Sequence, residues 1–299
     1  MEERLFGNTH ILAWLEYFAQ FVPVDLEKIK ILDITRKNKN LIPTIESHSA
    51  VLVFTDRGHD DIFYRMWDAG LGECEVWYNE GSEPSGPILH KPVKQMIDRG
   101  INASAGMMIL NPNARSTMKV GMDNSNFSPG TIRYVGSEIR AVILNKLHLS
   151  LGDTICVVSG ASIAVESAIL ASEGTVIAVE YSQGDRRTLE ENANKFGIHN
   201  IAIIDHVDDH TMAGLPQPQL AFLVASASME QEIECLLRRN PHMEFVVYTL
   251  DFRCAGSLPG LFERLGIGEV EAVQIGVSRL DAKNHLVAEP APWIISGKT

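Results

Sequence analysis

The chain has 299 residues, with 26 basic side chains against 38 acidic ones, so it carries a net charge of −12 near neutrality; a surface this acidic repels phosphate backbones, and without a Lys/Arg run interleaved with aromatics no nucleic-acid partner is expected. No apolar stretch approaches the roughly 20 residues that span a bilayer, and the opening MEERLFG lacks the basic-then-apolar order of a secretion signal, so the expectation is a cytoplasmic protein with no membrane partner. Cys74, Cys156, Cys235 and Cys254 form no C-x-x-C pair, which predicts reduced, mostly buried thiols and no metal site of that type, while the length predicts two domains.

The segment 11–22 (ILAWLEYFAQFV) is too apolar to hang free in water. Residues 50–55 (AVLVFT) form a short β-branched run suited to a buried strand, and 61–69 (DIFYRMWDA) follow with helical spacing up to a stop at Gly70. Before that helix, Arg57, Gly58, His59, Asp60 and Asp61 place a histidine among carboxylates, although Asp60 is more simply a helix cap. Residues 75–78 and 106–110 complete a small α/β lobe. Hydrophobic periodicity then disappears over 111–130, where Asn, Ser, Pro and Gly take over. The organisation expected is a first lobe over 1–112, a linker over 113–130 and a second domain over 131–299.

Downstream, Ser137 and Glu138 open a helix whose stripe Ile139, Val142, Ile143, Lys146 and Leu147 ends before Gly152. Strands are predicted at 154–158, 175–180, 201–204, 220–225 and 245–249, with helices at 162–171, 185–196, from Met229 and from Leu258. Final strands near Val273 and Trp293 have no clear helix between them. Strands separated by helices of about ten residues imply right-handed βαβ units in a mostly parallel, Rossmann-like sheet, with an antiparallel hairpin at one edge. In such sheets ligands bind beyond the carboxyl ends of the strands, so the first turn, 157–163 (VVSGASI), is the place to look. Gly160 there permits close backbone approach. Glu180, ending the neighbouring strand, is placed to accept hydrogen bonds from a ribose diol, or is simply a solvated strand-terminal carboxylate.

Residues 137–196 resemble the decarboxylating precorrin-6Y methyltransferases of corrin (cobalamin) biosynthesis. The family's E-x-R-A run, L-x-P-G-D lead-in, glycine-rich turn, E-G-x-V-x-A-[IV]-E and E-N-x-x-x-F-G segments appear in the same order at 138–141, 149–153, the first turn, 173–180 and 191–197. Upstream, HSAVLVFTDRGHDDI and DAGLGECEVWYNEGSEPSG resemble the second half of the tetrapyrrole methylase often fused ahead of that enzyme. The resemblance implies an S-adenosylmethionine (SAM) methyltransferase domain behind a truncated methylase lobe, a tetrapyrrole as the small-molecule ligand and assembly into a homo-oligomer. It implies cofactor contacts at Ser159, Gly160, Ala161, Glu180 and Asp205, and assigns no catalytic residue. The first turn departs from the family: V-V-S-G-A stands where an acidic residue and G-x-G-x-G are usual, in a turn about two residues shorter. The family's P-M-T-K before the helix is Arg133 to Gly136, its G-D after the third strand is His206 and Val207, and the stretch after the fourth strand is ASASM at 225–229. Weak SAM binding is therefore expected, with a non-catalytic binding or structural descendant as the alternative to an enzyme. A lobe lacking its usual partner half is expected to expose an apolar face; Trp14, Leu15, Phe18, Phe21 and Val22 could cover it from a second copy or by folding back within the chain.

Three further patterns carry candidate chemistry. Asp205, His206, Asp208, Asp209 and His210 would suit a divalent metal if helical, but they follow a strand and are better read as a solvated loop. Gly160, Ala161, Ser162, Ile163 and Ala164 fit a relaxed nucleophile elbow, with Asp251 and His285 available as partners for a serine hydrolase. Arg238, Arg239, Arg253 and Arg279 could bind tetrapyrrole carboxylates if they converged.

Overall fold

The computed structural model describes residues 8–35, 40–114 and 120–299; the opening MEERLFG and part of the expected linker lie outside them. Two units result, one of residues up to 118 together with Lys195–His199, the other of the remainder. Among the described residues no helix is long and apolar enough to cross a membrane.

The first unit contains α1 (Asn8–Ala19), β1 (Ile29–Asp33), α2 (Leu41–Ser47), β2 (Ala50–Thr55), α3 (Ile62–Asp68), β3 (Glu75–Glu80), β4 (Leu89–Pro92) and β5 (Ala105–Leu110). Its sheet runs β1-β2-β5-β3-β4. Only the β1–β2 pair is parallel among these neighbours. Every residue of β2 is buried, as its unbroken apolar sequence requires of a strand covered on both faces. Leu41, Ile45, Phe63 and Met66 from α2 and α3 cover one face. The other face, with Leu52, Phe54 and Met108, is covered by Trp14, Phe18 and Val22. The apolar segment 11–22 thus buries these three side chains within its own lobe. Asp61 rather than Asp60 stands at the start of α3, and without a side-chain cap. The capping carboxylate in this stretch is Asp56, which accepts the Gly58 N–H at 2.9 Å.

The second unit contains α4 (Ser137–Lys146), β6 (Thr154–Val158), α5 (Ala161–Leu170), β7 (Thr175–Val179), α6 (Gln183–Lys195), β8 (Ile201–Ile204), β9 (Leu220–Val224), α7 (Met229–Arg239), β10 (Glu244–Thr249), α8 (Phe252–Arg264), β11 (Gly268–Gln274), β12 (Ser278–Leu280), β13 (Leu286–Ala288) and β14 (Trp293–Lys298). The seven-stranded sheet runs β11-β14-β10-β9-β6-β7-β8. It is an α/β, Rossmann-like fold, parallel from β10 to β8. β14 alone runs antiparallel, paired with β10 and with the edge strand β11, which is the expected edge hairpin. Its connection carries a separate ribbon of β12 and β13. Successive strands leave β6 in opposite directions, β7 and β8 to one side and β9 and β10 to the other. The crevice at the β6/β9 carboxyl ends is therefore the topological switch point. Helix α8 begins six residues before the expected Leu258, with Asp251 capping it through the Arg253 N–H at 2.7 Å. Pro259 inside it removes a backbone donor, and this hid the start in the sequence.

Residues 120–136 have little regular structure, yet they are fixed to this unit by buried side chains. Helix α5 is apolar apart from its serines and Glu166, and a carboxylate there must find partners. Glu166 accepts the backbone N–H groups of Gly121 at 2.6 Å and Met122 at 2.9 Å, and the Arg140 Nε at 2.5 Å. Arg140 and Glu166 are both fully buried. Arg140 also donates to the Val135 carbonyl at 2.6 Å, to Asn124 at 3.0 Å and to the Met122 carbonyl. Asn192 of α6 accepts the Ser128 N–H at 2.7 Å and donates to Tyr134.

Candidate functional site at the carboxyl ends of the strands

The turn from β6 into α5 is made by Ser159 and Gly160. Ser159 holds φ at 55°, a left-handed conformation that glycine adopts without strain and serine does not; its N–H is bonded to the Val179 carbonyl at 2.9 Å. Gly160 has φ of −131°, so the backbone angle does not demand glycine. The packing does: a Cβ added there would lie 2.8 Å from the Phe222 ring of β9 and 2.9 Å from Val157. The space left by the missing side chain is filled by core.

Glu180 follows β7 and is 6% exposed. Its N–H continues the ladder to the Ile204 carbonyl at 3.1 Å, and its carboxyl lies near the Ala161 N–H at the start of α5. Burial pushes its carboxyl up to about 7, with the nearby Asp185 charge adding to the rise and the Ala161 N–H opposing it. Ser159, Gly160, Ala161 and Glu180 thus lie together at the β6–α5 turn.

Asp205 lies just beyond β8, one residue after Ile204, whose carbonyl accepts the Glu180 N–H; it pairs with His206 Nδ1 at 2.6 Å, whose Nε2 is 2.9 Å from Asp208. Asp208 in turn accepts the N–H groups of His210 and Thr211 at 2.8 and 2.7 Å. Asp205 and Asp208 thus organise their own loop, while Asp209 faces Arg238 of α7.

Three residues absent from the sequence expectation complete the mouth. Tyr181 points to the face opposite Glu180 and donates its phenol to Glu232 of α7, with Ser228 Oγ at 3.3 Å. Burial raises the phenol pKa to about 12, and Glu232 adds to the rise. Glu232 is 4% exposed; its Oε1 also accepts from Ser228 at 3.1 Å, while its buried Oε2 has no partner. Arg186 of α6 fixes the backbone of this corner, donating to the carbonyls of Glu180 at 2.7 Å and Tyr181 at 2.8 Å. The sequence held one signal for this group: Glu232 falls on the stripe of Met229, Ile233 and Leu236, where an apolar residue is expected.

The hydrolase alternative is overturned. Ser162 is 1% exposed within α5, Asp251 is committed to capping α8, and His285 sits on the exposed β12–β13 ribbon beside Asp281. Nor do the arginines converge. Arg238 faces Asp209, Arg239 donates to the Met212 carbonyl, and Arg279 is held between Glu138 and Glu289.

Against the needs of SAM, Glu180 occupies the place of a ribose-binding carboxylate, and it is buried. Gly160, the one glycine of the turn, is accounted for by packing, since a Cβ there would meet Phe222 and Val157. The residues match the cofactor at Glu180, while the turn lacks the further glycines of the family pattern.

The family model for the precorrin methyltransferase domain matches residues 133–283, just over half of the chain. No curated protein sequence matches the chain. Solved structures with the same fold include a precorrin-6Y C5,15-methyltransferase from Geobacter metallireducens, at 21% identity and a TM-score of 0.54 over 60% of this chain and 96% of that one. The C-terminal domain of the Rhodobacter capsulatus precorrin-6Y C5,15-methyltransferase is similar at 19% identity and a TM-score of 0.52, covering 61% and 100%. The precorrin 8W decarboxylase of Methanobacterium thermoautotrophicum follows at 15% identity and 0.51, covering 60% and 100%.

Proposed function

The chain belongs to the precorrin methyltransferase domain family, and from that premise we propose that it is a non-methylating member that holds SAM only weakly and serves to bind a ligand of the tetrapyrrole class. One observation supports the reading: the single glycine of the first turn is accounted for by packing, since a side chain there would meet Phe222 and Val157, so no ligand is needed to explain it. A single hydrogen bond to a carboxylate contributes about 1.5–3 kcal/mol, whereas micromolar affinity requires about 8 kcal/mol, so Glu180 cannot substitute for the turn. Glu180 is also poorly suited at neutral pH. With its carboxyl near 7 it is only partly ionised.

An active methyltransferase is the second reading, favoured by the position of Glu180 at the end of the strand next to β6. Thermal unfolding with S-adenosylhomocysteine separates the two. A ligand at about 1 mM with a Kd near 1 μM would stabilise the protein by about 4 kcal/mol and shift the midpoint by several degrees. The proposal predicts less than about 0.5 kcal/mol, the value for a Kd near 1 mM; a shift of several degrees would favour the enzyme.

A further inference from the structure

β6 lies between β7 and β9 in the sheet. Tyr181 follows β7, whereas Ser228 and Glu232 belong to the turn and helix that follow β9. A hydrogen bond from the first to the second group therefore spans β6, the strand at the topological switch point. Neighbouring strands are about 4.8 Å apart, so the two flanking strands are separated by about 10 Å, a span that a tyrosine and a glutamate side chain bridge together. That is the contact observed: the Tyr181 phenol donates to Glu232, with Ser228 Oγ at 3.3 Å and Ser226 Oγ a further 3.1 Å along. Arg186 pins the carbonyls on either side of the Tyr181 Cα, so the ring starts from a fixed backbone. Its phenol is its only hydrogen-bonding group, and that group is spent on the far wall. We propose that Tyr181 is an autoinhibitory latch that closes the switch-point crevice against adenosyl nucleosides through its bond to Glu232.

The inference rests on the proposed function and adds to it. The single glycine of the first turn limits the ligand's own contacts. The latch lowers apparent affinity separately, in proportion to the fraction of molecules in which it is open. Tyr181→Phe removes only the hydroxyl and frees the ring; Tyr181→Ala removes the ring as well. Tyr181 is 44% exposed, so both variants should fold, which their circular dichroism melts would establish. Ligand-observed NMR titration of S-adenosylhomocysteine into full-length wild type, Tyr181→Phe and Tyr181→Ala provides the test. The latch predicts apparent affinity about tenfold or more higher in both variants, the change expected when one hydrogen bond to a buried carboxylate no longer holds the closed form. Equal weak binding by all three proteins would overturn the latch and leave the proposed function standing. Weaker binding by Tyr181→Ala alone would also overturn it, since the ring would then be a platform for the ligand. Tight binding by wild type would overturn both readings.

Discussion

Helix α5 meets one buried carboxylate at its middle and another at its N-terminus, and the two differ in their partners. At the middle, Glu166 receives a guanidinium and two backbone N–H groups; burial raises its carboxyl pKa, and Arg140 and these N–H groups oppose the rise. At the N-terminus, burial raises Glu180 to about 7, the like charge of Asp185 adds to the rise, and the Ala161 N–H alone opposes it. The well-partnered carboxylate fixes structure, here the irregular segment 120–136. The poorly partnered one leaves a group whose protonation can change near neutral pH.

The sharpest way to break this contrast is to remove the compensation at the middle. Arg140→Met strands Glu166 in the interior and should cost about 3–5 kcal/mol in urea unfolding. Adding Glu166→Met should not restore stability, because the N–H groups of Gly121 and Met122 and the carbonyls of Met122 and Val135 would then lose their partners. A fully stable double variant would show that the pair is dispensable.

At the other end, the prediction is a pH dependence. Glu180 has a folded pKa near 7, above its ordinary value of 4.5. Below 4.5 both folded and unfolded forms are protonated; as pH rises the unfolded chain loses its proton first, so stability falls until the folded carboxyl has also ionised above about 7. Wild type should lose about 2–3 kcal/mol between pH 5 and pH 8 from this group, and Glu180→Gln should lack that slope. Parallel pH profiles for the two proteins would refute the raised carboxyl.

The turn itself supplies two smaller tests. Gly160→Ala should cost about 1–3 kcal/mol by overpacking against Phe222, with Phe222→Leu in the same chain restoring much of it. No cost would mean that the turn is looser than described. Ser159→Gly removes a left-handed serine and should raise stability by about 0.5–1 kcal/mol, the strain relieved being partly offset by the added freedom of the unfolded chain. A lower melting midpoint would contradict the strain.

Much of the fold was legible because parallel strands buried on both faces are continuous apolar runs: TICVV of β6 and AVLVFT of β2 are buried throughout. β1 and β4 were not legible. IKILD and LHKP expose part of each strand and break the apolar run with charge. The stretch 113–130 has the composition of a linker, yet 121–130 are held by single side chains far away in sequence, such as Glu166 and Asn192, and composition cannot reveal that. At the site, Glu180 was readable from its place after the second strand of the domain. Tyr181 and Glu232 lie 51 residues apart, on a turn and a helix that only the sheet order brings together.

The central claim is that the first turn no longer holds an adenosyl ligand. Titration calorimetry of S-adenosylhomocysteine into the full-length chain at pH 8, where most Glu180 carboxyls are ionised, tests it under the conditions most favourable to binding. The account predicts no saturation below roughly millimolar ligand, equivalent to less than about 4 kcal/mol of binding free energy. A stoichiometric isotherm with a submicromolar Kd would contradict it.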